Sequence, residues 1–120
     1  MSAFKESIIA LNPKTEDPHT EPIEALVDTQ SGLTWLPEEL LGGIGITPRR
    51  RGVFRTADGT RLTRSVGYAV LRADEFETID EVVFAERGDT TLLGIRTING
   101  FAATADPIGH RLVAQPLFAC

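Results

Sequence analysis

The sequence predicts an all-β fold with one or two short helices. Short apolar segments alternate with turn residues along most of the chain, which is the pattern of many short strands. The pair Asp58-Gly59 stands between two such segments and predicts a tight hairpin turn. Only two short stretches have the residue pattern of a helix. Many short strands with so little helix favour a sheet that closes on itself or folds over.

The predicted strands begin and end at turn residues. Residues 12–22 contain three prolines among charged side chains, so this segment is predicted as a loop. Apolar side chains alternate along the return strand of the 52–72 hairpin, which predicts one apolar face. The residues of that face are Leu62, Val66, Tyr68 and Val70. The predicted strands are 4–11, 23–27, the two strands of the 52–72 hairpin, 81–85, 91–93 and 111–114.

The two short helices are predicted from the residues at their ends. Pro37 is favoured at a first helical position, and Glu38 and Glu39 follow where the helix dipole favours negative charge. This helix is predicted over residues 37–41 and ends before two glycines. The second is predicted over residues 95–99 and also ends before a glycine.

Length and composition indicate one ordinary globular domain. The chain has 120 residues, of which 42% are hydrophobic, so one domain over residues 1–120 can build a packed core. Its net charge of −5 argues against nucleic acid as a partner, because binding to phosphates favours a basic surface. The basic run at residues 49–51 is interpreted as a solvated turn.

The sequence also favours a soluble, cytoplasmic protein. Its single cysteine, Cys120, cannot form an intrachain disulfide, which fits a reducing compartment. The first residues lack the charged and then apolar pattern of a signal peptide. No apolar run approaches the roughly 18 residues of a membrane helix, so we expect no membrane partner.

No metal site and no cofactor are predicted. The two histidines, His19 and His110, lie far apart, and no Cys/His spacing indicates zinc. The glycine-rich run at residues 42–45 follows a predicted helix rather than a strand, and it lacks the lysine of a phosphate-binding loop. Trp35 is interpreted as a core residue, because large aromatic side chains bury extensive apolar area.

The segment Val27-Asp28-Thr29-Gln30-Ser31 places a carboxylate at the end of an apolar strand. Burying such a charge is costly unless it is paired or hydrogen-bonded. One interpretation is structural, with Asp28 capping a turn through neighbouring backbone N–H groups. The other interpretation is catalytic, and the wider pattern of the chain favours it.

One order of features covers most of the chain, from about Ile23 to Val113. The apolar strand is followed by Asp-Thr-x-Ser at residues 28–31, Trp35-Leu36-Pro37, a short helix, a hairpin and Leu92-Leu93-Gly94. This order resembles the retropepsin-like aspartic proteases, including their bacterial relatives. Their hallmarks are Asp-Thr-Gly, a later apolar pair followed by glycine, and a flap hairpin between the two. The resemblance implies a small closed β-barrel without a cofactor.

The resemblance implies a role for each matching residue. Asp28 would be the catalytic aspartate, Thr29 would hydrogen-bond across to a partner chain, and Ser31 would hydrogen-bond the carboxylate. The segment Leu92-Leu93-Gly94 would pack behind the active-site loop. The hairpin turn would be the flap over a bound peptide, formed by Ala57, Asp58, Gly59 and Thr60.

The resemblance also implies a homodimer. Peptide hydrolysis of this type uses two carboxylates, one as base and one as acid, to activate a water without a covalent intermediate. The chain has one such motif, so the second aspartate would come from a second copy across a two-fold axis. The expected substrate is an extended peptide or protein.

Gln30 stands where the family has glycine, and Gly32 stands where Ser or Thr is frequent. A glycine at the first position lets the backbone approach the carboxylates and the substrate. The glutamine could block the water or the substrate, or it could hydrogen-bond the aspartates, and a positive φ there would add strain. The sequence leaves three functions open: an active aspartic endopeptidase, a catalytically inactive module that binds peptides or proteins by strand addition, and a monomer that resembles half an enzyme.

Overall fold

The computed structural model describes residues 3–15 and 17–116, and these residues form mostly β-structure with two short helices. Cys120 and residues 1–2, on which the disulfide and signal-peptide predictions depend, lie outside the described residues. The elements, in chain order, are β1 (Lys5–Leu11), β2 (Ile23–Asp28), β3 (Thr34–Pro37), α1 (Glu38–Gly43), β4 (Arg50–Arg55), β5 (Arg61–Ala73), β6 (Phe76–Ala85), β7 (Leu92–Gly94), α2 (Ile95–Gly100), β8 (Ala103–Asp106) and β9 (Arg111–Ala114).

Seven of the described strands form one sheet, in the order β1-β2-β7-β3-β6-β5-β4, and β8 pairs with β9 in a separate sheet. Strand β1 also pairs with β5 through Ile9, Ala10 and Leu11. The series of paired strands that starts at β1 therefore returns to β1, and β4 lies beyond it on the edge of β5. The pairs β2–β7 and β3–β6 are parallel.

Most of the predicted elements are confirmed, with shifted ends. Strands β1, β2, β7 and β9 and helix α2 lie close to the predicted ranges. The hairpin is longer than predicted, because β4 begins at Arg50 and β5 continues to Ala73. Helix α1 begins at Glu38 with Pro37 as its N-cap, and it includes both glycines that were expected to end it. Glycine is tolerated there because no further helical turn has to be built on it.

The sequence patterns do not predict strands β3 and β8 or the first half of β6. Strand β8 is rich in alanine and threonine, and alanine is depleted in strands. Strand β6 begins at Phe76 rather than at residue 81, because a two-residue turn joins it to β5 with Ala73 opposite Phe76. That turn contains no glycine, and Asp74 adopts a φ of +51°, which non-glycine residues rarely do.

The predicted apolar face of the return strand is wrong at one residue. Val66 and Val70 are buried, and Leu62 is half-buried beside the smaller of two apolar clusters. Tyr68 is 47% exposed, because its side chain lines a surface pocket instead of joining either cluster.

Two apolar clusters form the core. The larger one gathers residues from most of the strands and both helices and includes Leu93 and Ile98. The smaller one consists of Trp35, Val66, Val83 and Ala85, with Leu33, Phe54, Leu62 and Leu92 packed against it. Trp35 is a core residue, as predicted, and its ring meets that of Phe54 edge-on with centroids 5.2 Å apart. Such aromatic pairs typically contribute about 0.5–1.5 kcal/mol beyond their buried area.

An ion pair holds the base of the hairpin against the turn that precedes β7. Arg64 donates two hydrogen bonds to Asp89, from Nε at 2.7 Å and from Nη2 at 2.9 Å. Both side chains are largely buried, and the Arg64 guanidinium lowers the pKa of the Asp89 carboxyl. Asp89 also accepts a hydrogen bond from the N–H of Glu86 at 2.8 Å. Neither of the two described helices is long and apolar enough to cross a membrane.

Candidate active site

Asp28 is the last residue of β2, between β1 and β7. The N–H of Val27 donates to the carbonyl of Phe4 at 2.9 Å on one side, and Asp28 pairs with Gly94 on the other. The Asp28 side chain is half-buried and borders a pocket of about 320 Å³. The pocket is lined by Ala3, Phe4, Leu26, Val27, Asp28, Thr29, Ala105 and Pro107.

A tight turn follows Asp28. Its Oδ1 accepts a hydrogen bond from the N–H of Gln30 at 2.9 Å, and its carbonyl accepts one from the N–H of Ser31 at 3.1 Å. Gln30 is exposed, and the described non-glycine residues with positive φ are Asp74, Ala102 and His110. Gln30 therefore adds no left-handed backbone strain to this turn.

Thr29 and Ser31 have different positions in the loop. Thr29 is half-buried and lines the pocket beside Asp28. Its expected hydrogen bond to a partner chain stays a prediction. The hydroxyl of Ser31 donates to the carbonyl of Leu33 at 2.7 Å. A hydroxyl has one proton to donate, so the predicted donation from Ser31 to the Asp28 carboxylate is not made in this chain.

Helix α2 holds the loop from behind. The N–H groups of Ile95 and Arg96 donate to the carbonyls of Ser31 at 2.8 Å and Gly32 at 3.2 Å. The first N–H groups of a helix have no partner within it, and α2 has no side-chain cap. The loop carbonyls take the place of that cap, so loop and helix satisfy each other's polar groups.

Gly94 permits the closest approach between the loop and β7. A Cβ atom at this position would lie 2.4 Å from the carbonyl oxygen of Leu33 and 3.0 Å from that of Ser31. These neighbours are backbone atoms, which cannot move aside as a side chain can. Leu93, just before it, is fully buried in the larger cluster, and Leu92 packs against the smaller one.

Two buried threonines link Gly94 to Asp80 in β6. The N–H of Gly94 donates to Oγ1 of Thr34 at 3.0 Å, and this hydroxyl lies 2.7 Å from Oγ1 of Thr97. Thr97 donates to Oδ2 of Asp80 at 3.0 Å, so Thr34 must be the donor to Thr97. Both threonines are fully buried. Sequence reasoning missed this chain of bonds, because a threonine in a short strand or helix carries no signal of its partner.

The threonine chain ends in an ion-pair network that reaches the hairpin. Arg96 lies 3.5 Å from Asp80 and 3.2 Å from Glu81, measured between side-chain nitrogen and oxygen. Arg50, the first residue of β4, bonds the other oxygen of Glu81 at 2.8 Å. Its hydrogen bond lowers the pKa of the Glu81 carboxyl. The support of the Asp28 loop and the base of the hairpin therefore share one group of charges.

The hairpin turn is exposed and held by local hydrogen bonds. Asp58 accepts bonds from the hydroxyl of Thr56 and from the N–H of Thr60, the latter at 3.0 Å. The Thr56 hydroxyl is the main cause that lowers the pKa of the Asp58 carboxyl to about 2. Gly59 has a φ of +88°, the conformation that favours glycine at this position. None of residues 57–60 lines the pocket at Asp28.

The described chain thus brings Asp28 and Thr29 to one pocket, places β7 and α2 behind them and keeps the hairpin turn apart. Among the described residues, Asp28 is the one acidic residue that lines this pocket. No group of three or more His, Cys, Asp or Glu side chains suited to a metal ion occurs within residues 3–15 and 17–116. The described part of one chain therefore offers this pocket one carboxylate, a hydrogen-bonded backbone behind it and a mostly apolar lining.

In comparisons with known proteins, no model of a protein family matches this chain, and no curated protein matches it significantly.

Proposed function

We propose that this protein is an aspartic endopeptidase of the retropepsin-like type, active as a homodimer with one Asp28 from each chain. Its sheet would then be a small closed barrel of that type. The pairing of β1 with both β2 and β5 supports this, because it makes the series of strands return to its start.

The observation that carries the proposal is the way the Asp28 loop is held. General acid–base catalysis needs a carboxylate fixed within hydrogen-bonding reach of water and substrate. Asp28 is half-buried at the edge of a pocket, and its loop is held by Gly94 and by the first turn of α2. An aspartate that only caps a solvated turn does not need its loop packed this closely against a neighbouring strand and helix.

In the proposed dimer, the two Asp28 carboxylates share one proton across the two-fold axis. The ionised carboxylate takes a proton from water, and the water oxygen attacks the carbonyl carbon of the peptide bond. The protonated carboxyl supplies a proton to the leaving nitrogen as the C–N bond breaks. No group on the enzyme becomes covalently attached to the substrate.

Gln30 is compatible with this site because its side chain is exposed and its φ is not positive. The alternative function is a catalytically inactive module that binds peptides or proteins in the same cleft. Two observations favour it: Asp28 already accepts the N–H of Gln30, as a turn-capping aspartate does, and the Ser31 hydroxyl is committed to Leu33.

Cleavage of a peptide library from about pH 4 to about pH 7 separates the two functions. We expect the wild-type protein to cleave and Asp28→Asn to lose activity by at least about a thousandfold, because the dyad would lack its shared proton. Glu24→Gln is the matched control, since it removes an exposed carboxylate from the same strand. Its activity should equal that of the wild type.

Gln30→Gly sharpens the result. Cleavage by the wild type shows that Gln30 is tolerated. Cleavage by Gln30→Gly alone would mean that the scaffold is competent and that the glutamine silences it. Absence of cleavage by every variant, with sedimentation still showing a dimer, would contradict the peptidase and favour the binding module.

A further inference from the structure

A second pocket, of about 620 Å³, lies at a gap in the pairing of β5. Its size is that of a typical small-ligand site. Its lining residues include Pro13, Lys14, Ile46, Arg49, Tyr68 and Ile79. It shares no lining residue with the pocket at Asp28.

The gap lies between two strands that use the same edge of β5. Strand β4 pairs as far as Val66, and β1 pairs from Val70 onward. The carbonyl of Val66 accepts a hydrogen bond from the N–H of Arg49 at 2.7 Å, so its polar groups face this edge. Along a strand, the N–H and C=O groups of successive residues point to opposite edges. Those of Tyr68, two residues after Val66, therefore point into the gap.

Prolines prevent the gap from closing. The register that pairs Leu11 with Val70 would place Pro13 opposite Tyr68, and proline has no N–H to donate. On the other side, Pro48 likewise lacks a donor, and the carbonyl of Thr47 lies over Gly67 rather than beside the strand edge. No hydrogen bond from the described neighbouring segments reaches the Tyr68 backbone.

The pocket combines unpaired positive charge with apolar surface. Lys14 and Arg49 line it, and neither forms an ion pair with an acidic group of the described residues. This is notable in a chain whose net charge is −5. Ile79 is 64% exposed, and it lines the pocket together with Tyr68. An anionic ligand with an apolar part matches this lining.

We propose that this pocket binds the C-terminal residue of a peptide whose last side chain is apolar. The amide N–H of that residue donates to the carbonyl of Tyr68. Its carboxylate accepts from the N–H of Tyr68 and from Lys14 and Arg49, as charge-assisted hydrogen bonds. Its side chain packs against Ile46 and Ile79.

The width of the gap favours a chain end over an internal segment. Val66 and Val70 are four residues apart, which is roughly 13 Å along a strand. That length accommodates one paired residue, and an internal segment would have to turn sharply at both ends. An internal peptide bond also brings no charge for Lys14 and Arg49. The proposed binding does not depend on peptidase activity at Asp28.

Titration of ¹⁵N-labelled protein with N-acetyl-Gly-Ala-Leu tests the proposal. We expect the free acid to shift the backbone amide resonances of Tyr68 and Arg49. The same peptide with a C-terminal amide should bind about tenfold more weakly, because it loses the charge-assisted bonds. Equal binding of the acid and the amide, or no shift at Tyr68, would overturn the proposal.

Charge variants provide the second arm. Arg49→Gln and Lys14→Gln should each weaken binding of the free acid severalfold. Arg51→Gln is the matched control, because Arg51 is exposed, bonds Ser65 and does not line the pocket. If the control weakens binding as much as Arg49→Gln, general charge attraction explains the binding and the site is refuted.

Sodium acetate and Pro13→Ala complete the test. Acetate carries the carboxylate without the amide and the apolar side chain, so it should bind much more weakly than the peptide. Equal affinity would reduce the pocket to an anion site. Pro13→Ala supplies the N–H that β1 needs to continue its register to Tyr68, so it should compete with the peptide and weaken its binding while the protein stays folded. Unchanged binding by this variant would contradict the role given to the Tyr68 carbonyl.

Discussion

In the loop at Asp28 and in the turn at Asp58, an aspartate oxygen accepts a hydrogen bond from the N–H two residues later. The two sites differ beyond that bond. The loop at Asp28 is pressed against Gly94 and bonded to α2, whereas the turn at Asp58 is exposed and bonded within residues 56–60. The same local motif thus occurs in a firmly held loop and in a free one.

This difference shows that long-range packing, rather than the turn motif, decides how firmly an aspartate is held. The proposed function needs both a firmly held loop and a free turn. A catalytic carboxylate must keep its position, and a flap must open to admit an extended peptide. Three substitutions change one side of the comparison at a time.

Gly94→Ala should have the largest effect, because its new Cβ would collide with the backbone of Leu33 at 2.4 Å. We expect the free energy of unfolding to fall by about 3 kcal/mol or more, as measured by urea denaturation. Gly32→Ala is the matched control in the same loop, since no atom lies within 4 Å of the place that its new Cβ would take. It should change stability by less than about 0.5 kcal/mol.

If Gly94→Ala were as stable as the wild type, the loop would not be held by this contact. A Gly94→Ala protein that fails to fold, beside a folded Gly32→Ala, agrees with the prediction.

Thr34→Val should have an intermediate effect. It removes the hydroxyl that accepts from the N–H of Gly94 and donates to Thr97, and it keeps the shape of the side chain. Leaving a buried donor unpaired costs about 1–3 kcal/mol, and urea denaturation measures the loss. Thr104→Val, at an exposed position of β8, is the control and should be nearly neutral. Equal stability of both variants would show that the threonine chain does not support the loop.

Asp58→Asn should have the smallest effect, with no measurable change in global unfolding, because the side chain is exposed and its bonds are local. The lowered pKa of Asp58, about 2, fixes the pH dependence. The carboxylate stays ionised at neutral and mildly acidic pH, and its favourable contribution to the turn is lost as pH falls from about 4 towards 2. An NMR titration of the Asp58 carboxyl checks this, and a midpoint near 4 would show that the turn is not formed.

Much of the fold could be predicted from local patterns. Asp58-Gly59 marks the hairpin, and Gly59 has the positive φ that this turn needs. The turn at Asp74 adopts the same kind of conformation without a glycine, so the pattern gives no sign of it and the start of β6 is missed. Strand β8 is missed because its alanines have little strand preference of their own and depend on pairing with β9.

The place of the Asp28 loop in the fold could be predicted from the sequence, but its contacts only partly. The position of Asp28 at a strand end follows from the apolar run before it. The Ser31 hydroxyl was expected to bond Asp28, and it donates to the carbonyl of Leu33 instead, two residues along the same turn. The link from Thr34 through Thr97 to Asp80 joins residues far apart in the chain, and local patterns contain no information about such pairings.

The bonds from α2 to the carbonyls of Ser31 and Gly32 constrain the length of the loop more than the identity of its side chains, because they involve backbone atoms only. The Gln30 side chain is exposed and a Cβ at Gly32 would meet open space, so substitutions at both positions are sterically cheap. One inserted residue would shift the carbonyls by roughly 3.3 Å, beyond the reach of the helix N–H groups. The segment between Asp28 and Thr34 can therefore vary by replacement but not by insertion or deletion, and a glutamine is a change of the permitted kind.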